Sequence, residues 1–92
     1  MIRTCGDKRT QALLDDAFVS DFQGFARPAK RKLEMLNAAK QLADLRVPPS
    51  SRLELLRGDL SGFHSIRVND QWRLIFRWVD GESYDVRRVD YH

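Results

Sequence analysis

The sequence predicts an α+β fold in which helices pack on one face of a curved antiparallel sheet. Three observations predict it. Apolar residues recur at helical spacing in the first half of the chain. From Leu53 onward they alternate instead, the period of a half-buried strand. Two turn signals, Asn69-Asp70 and Asp80-Gly81, then cut the alternating runs into hairpins. Helices followed by a meander of strands bury one sheet face and leave the other to solvent or to a ligand.

Each element follows from its residues. Residues 1–5 read as a short edge strand closed by Gly6-Asp7. Asp7 suits the N-cap of a first helix over residues 8–18, with Leu13, Leu14, Ala17 and Phe18 at helical spacing. Residues 19–27 are irregular. A longer helix is expected over 27–43, with Pro28 in its first turn and Leu33, Leu36, Ala39 and Leu42 as its apolar stripe. Pro48-Pro49 prevents continuation, so 46–51 form a loop. Next come four runs of period two. Leu53, Leu55 and Arg57 share one face of the first. His64, Ile66 and Val68 alternate with Ser65 and Arg67. Trp72, Leu74, Phe76 and Trp78 alternate with Arg73, Ile75 and Arg77. Tyr84, Val86 and Arg88 alternate with Asp85, Arg87 and Val89.

The composition sets bounds. The chain has 92 residues, the length of one domain, 1–92, with one modest core. Its formal charge is +3, and twelve of its sixteen cationic residues are Arg. Arg pairs two phosphate or carboxylate oxygens at once. The balance fits a nucleic-acid or acidic-protein partner; it also fits a merely solvated surface. The single Cys5 forms no internal disulfide, and no Cys/His cluster has zinc-ligand spacing. A cytoplasmic setting fits, with no secretory core at the N-terminus and no stretch long enough to span a membrane. Gly-rich phosphate loops, two-metal acidic clusters, triad signatures and zinc fingers are all missing from the sequence, so neither metal nor cofactor is expected.

Candidate chemistry concentrates in the last forty residues. The Trp72/Leu74/Phe76/Trp78 face reads as core. The opposite face shows Arg73 and Arg77, the preceding strand adds Arg67, and Arg57 comes from the strand before that. Several Arg on one sheet face repel one another unless anions lie nearby. That pattern suits a phosphate-binding concavity; ion pairing with Asp70, Asp80, Glu82 or Asp85 explains it equally. His64 shares the register of Ile66 and Val68 and reads as a packing or strand-end residue. An unperturbed histidine titrates near neutral pH, but a terminal position alone gives His92 no role. Metal-free RNA cleavage needs a base or an oriented 2′-hydroxyl, cations for the transition-state charge, and an acid for the leaving 5′-oxygen. Arg57, Arg73, Asp90, Tyr91 and His92 supply groups of these kinds.

Particular segments carry a resemblance. RLELLRGD at 52–59, GFHSIRVNDQWRLIF at 62–76 and VDYH at 89–92 closely resemble HigB/GraT-type toxins of the RelE/ParE superfamily. The start MIR, KRKLEMLNAA at 30–39 and DLRVPPSSRLE at 44–54 resemble them too. The resemblance implies a compact RelE-like domain, with an N-terminal strand and two helices on a curved antiparallel sheet. It implies a toxin of a type II toxin–antitoxin system, a ribosome-dependent endoribonuclease that cleaves mRNA without metal or cofactor. By the same resemblance the functional surface includes Arg73, the basic position Arg57, and Asp90, Tyr91 and His92; the strand-face reading adds Arg67 and Arg77 as RNA-binding candidates. A helix-turn-helix, HigA-like antitoxin is the expected partner, with operator DNA reached only through it. Some ribosome-dependent members carry His where this chain has Glu54, and Lys where it has Arg57. Two other readings suit the same basic face. One is a non-nucleolytic inhibitor of translation or ribosome biogenesis; the other is a small nucleic-acid-binding module or co-repressor.

Overall fold

A computed structural model describes residues 1–17 and 24–90. Asp7 stands in extended conformation, and its carboxylate accepts from the Thr10 N–H at 2.6 Å, satisfying a donor that the first helical turn leaves orphaned. Helix α1 follows over Lys8–Leu14. It is shorter than expected because Asp16 turns into the left-handed region at φ 66°, which ends helical geometry. Phe18 lies outside the described residues.

Helix α2 spans Ala26–Ala38 and buries Ala29, Leu33 and Leu36. The expected continuation to residue 43 does not occur. Ala39 is extended, and the Asp44 carboxylate accepts from the backbone N–H groups of Lys40 at 2.9 Å and Gln41 at 3.1 Å. With the Gln41 side chain this forms a capping box that opens a separate 3-10 turn, Leu42–Arg46. A local side-chain acceptor has thus won the backbone donors from the helix.

Four strands follow: β1 (Glu54–Leu55), β2 (His64–Arg67), β3 (Trp72–Val79) and β4 (Glu82–Asp90), antiparallel and in sequential order. β1 is only two residues long, and Arg57 lies beyond it, leading into a 3-10 turn. The expected longer strand fails because Arg52 at its start and Gly58 at its end both adopt positive φ. Between β2 and β3 the Asn69 side chain accepts from the N–H groups of Gln71 and Trp72, an Asx turn. Between β3 and β4, Asp80 and Gly81 both have positive φ and Val79 pairs with Glu82, as a two-residue mirror-image turn requires.

One irregularity changes which residues share a face. Ile75 pairs with Arg87, but Arg77 pairs with Tyr84. The extra residue on β4 makes a bulge, with Asp85 at φ 55°. The bulge corrects the simple alternation expected for this strand. Tyr84 moves to the face of Arg77 and Arg87, while Val86 turns into the core.

Leu33 and Leu36 of α2 pack with Leu13 of α1 against Ile66, Leu74, Phe76 and Val86 of the sheet. Residues 1–5 run parallel to β4 but touch it through isolated bridges, Ile2 to Ser83 and Cys5 to Val86, rather than a continuous ladder. Burial pushes the Cys5 thiol up to about 11, so it stays protonated at neutral pH. No helix among the described residues is long and apolar enough to cross a membrane.

Candidate nucleic-acid interface

The register assembles the site on the sheet face away from the helices. Pairings of Arg67 with Arg73, Ser65 with Ile75, Ile75 with Arg87 and Arg77 with Tyr84 set these side chains on that face. Ile75 is fully buried there, and Phe63, just before β2, is nearly so. Together they supply an apolar floor beneath the arginines.

Arg73 is the most constrained of them. It points away from the Trp72/Leu74/Phe76 side as expected, yet it is 2% exposed rather than free in solvent. Its Nε donates to Ser65 Oγ at 2.9 Å and its Nη2 to the Arg52 carbonyl at 2.6 Å. Its Nη1 stands 3.7 Å from a Glu54 carboxylate oxygen. The left-handed Arg52 (φ 47°) presents that carbonyl. An oriented, largely desolvated guanidinium acts more strongly on nearby charge than a solvated one.

The other arginines divide into two groups. Arg67 is held by Asp70, and Arg77 Nε lies 3.3 Å from Asp85. Of the four acids expected as partners, Asp70 and Asp85 serve this face, whereas Glu82 pairs with Arg3. Arg77 also lies over the Phe63 ring, 4.5 Å from its centre, and Arg87 lies over the same ring at 5.7 Å. Arg57 is exposed, one residue beyond Leu56, whose N–H donates to the Phe63 carbonyl at 2.8 Å. Asp90 closes β4 opposite Trp72. Tyr91 and His92 lie outside the described residues. The structure therefore brings Arg67, Arg73 and Arg77 to one face. Arg57 sits in the loop beside it, and Asp90 at the end of its last strand.

Sequence reasoning missed Arg87, Phe63 and Tyr84. The bulge that aligns Tyr84 with Arg87 depends on a single left-handed Asp85, which no turn residue announces. His64 behaves as expected for a packing residue. It stacks on Phe76 at 5.9 Å, and burial holds its imidazole below the ordinary value. Among the described residues no group of three or more His, Cys, Asp or Glu is placed to hold a metal ion.

A family model described as the RelE-like toxin HigB of type II toxin–antitoxin systems matches residues 15–92. The chain belongs to the HigB-like toxin family. Toxin HigB-1 of Vibrio cholerae is 63% identical over 51 residues, 55% of this chain and 54% of that protein. Endoribonuclease HigB of Proteus vulgaris is 31% identical over 61 residues, 66% of this chain and 65% of that protein. The HigB-like chain thus spans about half to two-thirds of the length of these relatives. Its fold is that of YafQ from E. coli, whose crystal structure superposes with a TM-score of 0.68 at 14% identity, covering 98% of this chain and 93% of YafQ. The YoeB–YefM complex from Staphylococcus aureus contains a similar chain, with a TM-score of 0.55 at 21% identity over 100% of this chain and 98% of that one. The α+β, RelE-like architecture expected from the sequence is therefore present.

Proposed function

We propose that this HigB-like chain is the toxin of a type II toxin–antitoxin module and cleaves mRNA on the ribosome. The observation that carries the reading is Arg73, buried and oriented within an Arg-lined sheet face of a HigB-family chain. The name of the Proteus vulgaris relative, endoribonuclease, supports the chemistry. In this reading the 2′-hydroxyl of one nucleotide gives up its proton to solvent water as it attacks the adjacent phosphate, and the bond to the 5′-oxygen breaks. Arg73 and Arg57 offset the charge that builds on the phosphate. His92 protonates the leaving oxygen, with Tyr91 and Asp90 orienting substrate and acid. Arg67 and Arg77 hold the flanking backbone. The residues require no metal for these steps. A helix-turn-helix, HigA-like antitoxin holds the toxin inactive and carries the pair to operator DNA, and the site of action is cytoplasmic.

A second reading, inhibition of translation without cleavage, is favoured by Glu54. Its carboxylate lies 3.7 Å from Arg73 Nη1 and offsets part of the charge that cleavage would use. Expression in cells, alone and with the adjacent gene, separates the two. Cleavage predicts growth arrest, relief by the neighbouring gene, and new mRNA 5′ ends. Arrest without new 5′ ends supports the second reading. Normal growth with verified soluble protein removes both.

A further inference from the structure

We propose that Arg87, held with Arg77 against the Phe63 ring, binds a backbone phosphate of single-stranded RNA on the sheet face that also holds Arg73. This rests on the RNA-directed reading above and adds a residue to that site. Arg73, Arg67 and Arg77 each have a carboxylate within ion-pair distance. Arg87 differs. It lies on the same face, paired with Ile75 in the register, yet no carboxylate among the described residues pairs with it. Its charge is therefore not offset by a carboxylate of the described residues.

Its side chain is nevertheless supported at two points. Gly6 packs on its stem: a Cβ at residue 6 would lie 3.3 Å from Arg87 Cδ and 3.1 Å from the Asp85 carbonyl. Its guanidinium rests over Phe63, 5.7 Å from the ring centre, beside Arg77 at 4.5 Å. One nearly buried ring therefore carries two guanidiniums, and two like charges so placed favour an anion between or above them. The pairing of Arg87 with Ile75, two residues from Arg73 along β3, sets this second cationic position one strand across from the first. A phosphodiester chain, with one negative charge per nucleotide, matches such successive cations. A folded acidic protein surface would not need the aromatic support, and association with one is an outcome of the test.

The test is binding of a 2′-O-methyl oligoribonucleotide, which cannot be cleaved, by fluorescence anisotropy over a range of salt concentrations. Wild type is compared with Arg87→Gln, Arg87→Met and Arg87→Lys, each checked by thermal melting. The neutral variants should bind about tenfold more weakly and lower the salt slope by about 0.7, the value of one phosphate contact on a single strand. Arg87→Lys should restore the slope. Three results overturn the proposal: wild-type affinity and slope in a folded neutral variant, failure of wild type to bind the oligonucleotide, or loss of fold in both neutral variants. Weakened binding of the co-expressed antitoxin, with unchanged RNA binding, would assign Arg87 to a protein interface and also overturn it. The assay is independent of cleavage. Loss of binding in the variants with no cleavage by wild type keeps Arg87 and removes the nuclease; cleavage with unchanged variant binding does the reverse.

Discussion

Arg73 and Ser65 meet diagonally across the β2–β3 pair, with Arg73 Nε donating to Ser65 Oγ at 2.9 Å and both side chains buried. This contact fixes the plane of the guanidinium. The Arg52 carbonyl holds a second edge at 2.6 Å. The charge is therefore delivered in one orientation, and the same contacts help hold β2, β3 and the loop before β1 together. A residue with both duties cannot be removed without affecting both.

Arg73→Ala should accordingly lower stability as well as toxicity. Truncation strands the buried Ser65 Oγ, and an unsatisfied buried group costs ~1–3 kcal/mol; it also removes the part-buried bond to the Arg52 carbonyl. For a domain of this size 1 kcal/mol moves Tm by about 4–8 °C. Thermal denaturation checks it. An unchanged Tm would return Arg73 to the status of a free surface charge.

Leu36→Ala and Trp72→Ala should destabilise by different routes. Leu36 is fully buried in α2, and its truncation costs ~2–5 kcal/mol. Trp72 is half-buried at the start of the inner strand β3, stacked on Phe25 at 5.4 Å with Arg88 over it at 4.2 Å. Its loss frees both. Denaturant unfolding should give the larger midpoint shift for Leu36→Ala; wild-type midpoints for both would contradict the core described above.

His64 should make stability depend on pH. Burial holds its pKa below the ordinary 6.5, and no described group accepts from or donates to its buried Nδ1. The unfolded state then takes up the proton at higher pH than the folded state does. The contribution is complete above about pH 6.5 and is lost as pH falls through the folded value. His64→Phe keeps a ring against Phe76 and removes the titration. Between pH 7.5 and 5 the Tm of wild type should fall more steeply than that of the variant. Parallel curves would exclude His64 as the cause.

Gly81→Ala tests the hairpin. Gly81 has φ 80°, and a Cβ there would lie 2.9 Å from the Lys40 carbonyl. Strain and contact together should cost ~1–3 kcal/mol. A variant as stable as wild type would mean that the turn relaxes freely.

What the sequence disclosed and what it hid divide along a physical line. The Leu33/Leu36 stripe and the Asp80-Gly81 turn were legible because each depends on neighbours in the chain. Asp44 was not: its reach back to Lys40 and Gln41 overrides an apolar period that alone extends the helix. The Asp85 bulge was hidden inside an alternating run, and with it the alignment of Tyr84 and Arg87. The arginine face was visible in outline from Arg67, Arg73 and Arg77. The burial of Arg73 was not, since it requires Ser65 and the Arg52 carbonyl to arrive from elsewhere in the chain. Tyr91 and His92 were legible as groups of a suitable chemical kind, and their place on a functional surface came from the resemblance to HigB/GraT-type toxins.

The central claim is cleavage of mRNA on the ribosome, and primer extension along a defined message in reconstituted translation tests it most directly. Wild type should generate new 5′ ends on the translated message and none on the same message without ribosomes. His92→Gln, which keeps length and loses the titratable proton, should cut about a hundredfold more slowly, the usual size of one acid–base contribution. Arrest of translation by wild type with the message intact would contradict the account.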